Sequence, residues 1–235
     1  MTPAAVDARD DDVTGPRRMR ADAARNRQRL IDAAAEVFAA RGLDATLDDI
    51  ARHAGVNVAT AYRHFANKHE LAREFLRRCI DQAASIAEEA AANPDPWAGL
   101  TQFLERSLEM IASNHALVDV LTRDYDGEHF AELVQRTSQP LERLLARGQQ
   151  DGVVRADLAA ADFGPILEML SAITGLGVPG LPYLPHRYIT LILAGLRPGQ
   201  EPLYGEPPSE ESLLQVAESV AGTGKKRHVL PDPGR

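Results

Sequence analysis

The sequence predicts an all-α protein, and three observations carry that expectation. Apolar residues recur three and four positions apart over long stretches, and nowhere do apolar and polar residues alternate at the period of two that a strand needs. Cap and stop signals bracket those stretches. Thr46 with Asp49, Asn67 with Glu70 and Asp95 before Pro96 open helices, while Gly42, Gly55 and Asp151-Gly152 close them. Finally, 235 residues with 44% apolar and 26% charged side chains suffice to bury a helical core without disulfide or metal.

Taken in order, residues 1–16 show no periodicity and read as a disordered leader. Leu30, Ile31, Ala34, Ala35 and Phe38 form one amphipathic stripe, which predicts a first helix over about 22 to 41. Leu47, Ile50, Ala51 and Ala54 make a short second helix behind the Thr46 cap. Asn57 caps a third that runs to Phe65, with Ala61, Phe65 and part of Tyr62 facing inward. A long fourth helix runs from Lys68 to about Ala92, where Pro94 and Pro96 stop it. Beyond it, Trp97, Leu100, Phe103, Leu104, Leu108 and Ile111 form the first stripe of a second helical region. Further helices are predicted over 116–123, 128–135, 138–150 and 158–174, the third opening at Ser138 and Pro140. Pro165 falls near the start of the 158–174 segment or kinks it. Residues 175–185 read as a Gly/Pro-rich loop and His186 to Leu196 as a last, strongly apolar helix. From 199 to 235 the chain reads as a mostly disordered tail, with a weak helical pattern over Leu213 to Val220.

Composition closes off several classes of function. No apolar run approaches the roughly 18 residues of a membrane-spanning helix, and the acidic leader with Asp10, Asp11 and Asp12 has no signal-peptide core. A cytoplasmic protein with no membrane partner is expected. Cys79 is the only cysteine, and His115, His129 and His186 stand apart from any second ligand at metal-binding spacing. No cofactor, metal or disulfide is therefore expected. Nor does the chain carry a phosphate loop, a nucleophile-base pair or spaced paired acids, so no catalytic residue is assigned.

The net charge of -8 argues against a nucleic-acid partner only when averaged over the chain. Residues 1–73 are net +1, and Arg17, Arg18, Arg20, Arg25, Arg27 and Arg29 against Asp22 make 17–29 a strongly basic run. Seen alone, such a run is usually a solvated face. Here it precedes a short helix, a glycine turn and another short helix, the helix-turn-helix order whose second helix enters the DNA major groove. The outward residues of that helix, Asn57, Val58, Ala59, Thr60, Arg63 and His64, are small or hydrogen-bonding, and Arg63 is suited to a guanine edge.

The stretch AGVNVATAYRHFANKHEL at 54–71 resembles the recognition segment of TetR-type (tetracycline-repressor-like) transcriptional regulators, and ARGLDATLDDIARHAG at 40–55 resembles what precedes it. The resemblance implies an all-helical subunit with an N-terminal three-helix helix-turn-helix DNA-binding domain over 17–70. A helical effector-binding and dimerisation domain follows over 71–198, linked by the helix from 68. It further implies a homodimeric repressor on a double-stranded operator, released by a small-molecule effector whose identity the sequence does not give. Residue by residue, it implies phosphate contacts for Thr46, Tyr62, His64 and Lys68, and base-facing positions for Val58, Ala59, Thr60 and Arg63. Ala59 stands where glycine is frequent in the family, and Ala61 where a larger aliphatic is usual. Phe103, Met110, Tyr125, Phe130, Phe163, Met169 and Tyr183 are candidate lining groups of an effector pocket within 97–196, although such residues are more often core. Two alternatives stay open. One is a DNA-binding regulator of the same fold controlled by a protein partner or by no ligand; the other is a helical module whose basic segment docks an acidic protein.

Overall fold

The computed structural model describes residues 14–114, 128–175, 183–199, 201–209 and 212–213. Among these residues there is no strand, and eight α-helices follow one another. They are α1 (Thr14–Arg41), α2 (Leu47–His53), α3 (Val58–His64), α4 (Lys68–Ala92), α5 (Pro96–Ser113), α6 (Glu128–Gln150), α7 (Phe163–Gly175) and α8 (Leu184–Leu196), with 3-10 turns at Gly42–Asp44 and Ala160–Asp162. The helix expected over 116–123, most of the 175–185 loop and the chain beyond 213 lie outside the described residues.

Three hydrophobic clusters form; α4 belongs to the two larger ones, and the third gathers Leu108, Leu170 and Ile189 between α5, α7 and α8. The first gathers Leu30, Ala34 and Phe38 of α1, Leu47, Ile50 and Ala51 of α2, Ala61 and Phe65, and the Leu71–Cys79 part of α4. The second gathers Ile86, Ala87 and Ala90 of α4 with Leu100, Phe103 and Leu104 of α5, Leu141, Leu144 and Leu145 of α6, and Phe163. A helix of 25 residues is about 37 Å long at 1.5 Å per residue, so one rod spans both. Two ion pairs set α1 against it. Arg27 Nη1 lies 3.1 Å from Glu74 Oε1, and Arg78 Nη1 lies 3.2 Å from Asp32 Oδ1. Both partners advance together along the chain, so α1 and α4 run parallel. Burial pushes the Cys79 thiol, in the first core, up to about 12, and it is an inert apolar filler.

Two helices differ from the sequence expectation. The first begins at Thr14 rather than near 22: Pro16 falls in its first turn, where a missing N–H is tolerated, and the added residues carry no apolar stripe to announce them. The segments expected at 128–135 and 138–150 are one helix that runs through Pro140. Proline removes a donor from the ladder, and nearby hydroxyls add bonds to the preceding turn: Thr137 Oγ1 donates to the Leu133 carbonyl at 2.9 Å and Ser138 Oγ to the Val134 carbonyl at 2.7 Å. Burial of Pro140, Leu141, Leu144 and Leu145 holds the far side of the helix on its neighbours. The segment starting at Leu158 becomes helical at Ala160 and α-helical only at Phe163, which leaves Pro165 in the first turn, where its missing N–H is tolerated.

Polar clamps tie the bundle together. Arg147 of α6 donates to the carbonyls of Ala91 (2.6 Å), Asn93 (2.5 Å) and Pro94 (3.0 Å), at the end of α4. Past α8, where the sequence reads as tail, the chain is held. The Arg197 guanidinium lies 3.5 Å from the Trp97 ring centroid, Leu203 N donates to Asp157 Oδ2 at 2.7 Å, and Arg155 bridges Asp157 to the carbonyls of Gly195 and Glu201.

Candidate nucleic-acid interface

The reading unit is assembled from caps and a single left-handed glycine. Thr46 Oγ1 accepts from Asp49 N at 3.1 Å while Asp49 Oδ2 accepts from Thr46 N at 3.1 Å, a reciprocal box that fixes the start of α2. Gly55 stops α2 at φ +62°, and Val56 N returns to the Ala51 carbonyl at 2.9 Å, turning the chain toward α3. A side chain at Gly55 would also meet Arg29 Nη2 at 2.8 Å, where that guanidinium reaches toward the turn carbonyl. Asn57 then caps α3 by accepting from Ala59 N at 2.9 Å.

On α3 the burial is one-sided. Ala61 is sealed in the core and Phe65 follows it inward, so the opposite arc is centred on Ala59 and Arg63, both exposed, with Thr60 and Tyr62 on its flanks. The expected outward set needs adjusting at two places. Val58 packs against the first core, and Asn57 is occupied as a cap. Of the positions tied to phosphate by resemblance, Thr46 is exposed but bonds its hydroxyl to Asp49 Oδ2 at 2.6 Å, and His64 and Lys68 are half-buried. Tyr62 is 50% exposed, and the neighbouring Asp48 carboxylate raises its phenol above the ordinary value.

Asp49 is the polar hub at the base of the unit. Beyond the Thr46 box it meets Arg52 at 2.9 Å and Arg41 at 3.3 Å, and these bonds hold its carboxyl well below the usual carboxylate range. With His53 at 2.7 Å from Glu36, they border a cleft of about 270 Å³ between α1 and α2.

Residues 30–75 match the family described as bacterial regulatory proteins, tetR family, and residues 95–198 match the family described as transcriptional regulator SbtR-like, C-terminal domain. The solved TetR transcription regulatory protein from Mycobacterium vanbaalenii is similar at TM-score 0.57 and 31% identity, over 76% of this chain and 99% of that one. The chain belongs to the TetR family. A probable acrEF/envCD operon repressor of Escherichia coli (strain K12) is 33% identical over 155 residues, 60% of this chain and 70% of the relative. The HTH-type transcriptional repressor KstR2 of Mycobacterium tuberculosis is 29% identical over 187 residues, 72% of this chain and 92% of the relative. This TetR-family chain is thus a helix-turn-helix, DNA-binding transcriptional regulator, and α2 and α3 lie within the residues that match the family's N-terminal domain. Among the described residues no helix is long and apolar enough to cross a membrane.

The effector-pocket candidates do not converge. Phe103 and Phe163 are buried against each other edge to face, centroids 5.4 Å apart, and Met110 is half-buried at the margin of the same core. Met169 and Tyr183 point outward, 56% and 57% exposed, so neither lines the interior of this chain. Tyr125 and the side chain of Phe130 lie outside the described residues.

Proposed function

We propose that this TetR-family regulator is a homodimeric repressor whose two α3 helices hold an operator and are released when a small, mostly apolar molecule occupies the bundle of α5 to α8. The carrying observation is that α4 is shared between the two larger cores. Lys68 at its first turn adjoins α3, and Ile86 and Ala90 at its far end sit among α5 and α6, so a tilt imposed at one end moves the other. In the interface so assigned, Ala59, Thr60 and Arg63 face bases, with Val58 setting the depth of the helix. Lys68, His64, Thr46 and Tyr62 flank the backbone. Dimer formation is supported by α7 and α8, which leave Met169, Tyr188 and Leu191 exposed, an apolar face that a second copy would cover.

A ligand shifts such an equilibrium only by its differential affinity for the two arrangements, typically about 1 to 3 kcal/mol of coupling. The test titrates compounds selected by thermal shift into an operator-binding assay on the full chain. Compounds that raise the melting temperature should weaken operator binding several-fold. If such compounds leave operator affinity unchanged, effector release is wrong, and control by a protein partner or by abundance replaces it. A purely monomeric chain in sedimentation at micromolar concentration would overturn the dimer.

A further inference from the structure

An arginine stands in line with the apolar stripe of α1. Leu30, Ile31 and Ala34 are buried, and residue 27, three positions before the first and four before the second, falls on the same face, yet its side chain is a guanidinium. Arg27 is half-buried there, and two contacts account for it. Its Cζ lies 5.1 Å from the centroid of the Phe65 ring, within cation–π range, and its Nη1 lies 3.1 Å from Glu74 Oε1. Phe65 is 1% exposed and is the C-cap of α3, so the guanidinium covers the residue on which that helix ends. Glu74 ties the guanidinium in turn to α4.

Two residues further along, Arg29 serves the opposite end of α3. Its Nη2 donates to the Gly55 carbonyl at 3.3 Å, in the turn just ahead of the Asn57 cap, and approaches so closely that a Cβ on Gly55 would meet it at 2.8 Å. The helix between these two contacts has little else to hold it. Its seven residues bury one small side chain, Ala61, with Val58 half-buried beside it, and a helix that short is marginal without tertiary support. Both arginines lie ahead of residues 30–75, the span that matches the family's N-terminal domain. Their guanidinium groups are turned to the ring, the carboxylate and the turn carbonyl of this chain.

We infer that Arg27 and Arg29 are positioning residues for base reading: they fix α3 at its two ends, and with it the aim of Thr60 and Arg63, without themselves touching DNA. The inference rests on the assignment of α3 to the bases made above. Its test compares the wild-type full chain with Arg27→Met, Arg29→Gln and the double variant, on a duplex that the wild type selects from a randomised pool and on single-base variants of that duplex. Methionine and glutamine keep helix propensity, and Glu74 retains Arg77 at 2.8 Å when Arg27 is gone, so no bare carboxylate is left. In the double variant, discrimination at the base pairs facing α3 should fall by about tenfold, while the slope of log affinity against log salt stays at the wild-type value. Without DNA, the amides of Thr60, Ala61 and Phe65, which bond within α3, should exchange about tenfold faster, with those of α6 unchanged. Arg27→Lys keeps a cation for both the ring and Glu74; it should lose less discrimination, and it stands in if the methionine variant does not fold. A salt slope lower by about 0.9 for each arginine removed would make them backbone contacts and overturn the inference, whatever happens to discrimination. Wild-type discrimination in the folded double variant, or unchanged exchange in α3, would overturn it as well. If the wild type selects no duplex at all, the base-reading assignment falls and takes the inference with it.

Discussion

Removing Arg147 should loosen the far end of α4, and the structure sets the size of the effect. The last carbonyls of any α-helix lack intrahelical partners, and α4 has no basic residue in its own last turn to meet its negative end. Arg147, from α6, supplies both needs with three bonds to the Ala91, Asn93 and Pro94 carbonyls. The side chain is half-buried, so in Arg147→Ala water recovers part of each bond. A loss of about 1 kcal/mol per bond, plus about 0.5 kcal/mol for the dipole, gives roughly 3.5 kcal/mol. In a chain of this size that corresponds to a fall in melting temperature of about 7 to 14 °C. Arg147→Lys keeps the charge and one bond, and should lose about 2 kcal/mol. Guanidinium unfolding at matched protein concentration measures both, with an unchanged m-value expected. A loss below about 1 kcal/mol, or equal stability of the lysine variant and wild type, would mean that solvent serves those carbonyls as well as the guanidinium does.

Three further outcomes follow from geometry. Gly99→Ala would place a methyl 2.5 Å from the Ala90 carbonyl oxygen and 3.0 Å from Leu144, forcing α5 off α4 at a cost of about 1 to 3 kcal/mol in chemical denaturation. Glu74, bonded to Arg77 at 2.8 Å and Arg27 at 3.1 Å, has its carboxyl lowered from 4.5 to about 2. Because the folded value is the depressed one, this stabilisation is complete above pH 4.5 and drains away as the pH falls from 4.5 through 2; acid titration of Glu74→Gln should lack that component. On operator DNA, Arg63→Ala should relax preference at one base pair at about 1 to 3 kcal/mol, whereas Lys68→Ala should weaken all sequences alike and lower the salt slope by about one, both measured by titration across single-base variants.

The helix-turn-helix was legible in the sequence because its determinants are local. Thr46, Asn57, Asn67 and Asp95 are all caps in the structure, each accepting from an amide within its first helical turn. The reach of α1 back to Thr14 was not legible, since the residues before 22 carry no apolar stripe to reveal it. The continuous α6 was missed because a proline normally ends a helix, and only burial against distant residues outweighs it. Arg147 and Gly99 carried no signal at all: Arg147 bonds backbone 53 to 56 residues away, and Gly99 matters because a carbonyl from another helix occupies the space its side chain would need. Tyr62 was legible as a candidate residue, but the nearness of the Asp48 carboxylate that raises its phenol depends on how α2 and α3 cross.

The sharing of α4 also determines how the subunit comes apart. Leu71, Phe75 and Leu76 belong to one apolar cluster and Ile86, Ala87 and Ala90 to the other, on a helix without an internal glycine or proline at which to break. Melting either cluster strips one face of that helix and takes packing from its neighbour. The reading head and the bundle should therefore unfold in one cooperative transition, and the slowest-exchanging amides of both should share a single opening free energy. A compound that stabilises the bundle would then also protect the distant head from proteolysis, so that its binding would lengthen the lifetime of the whole chain.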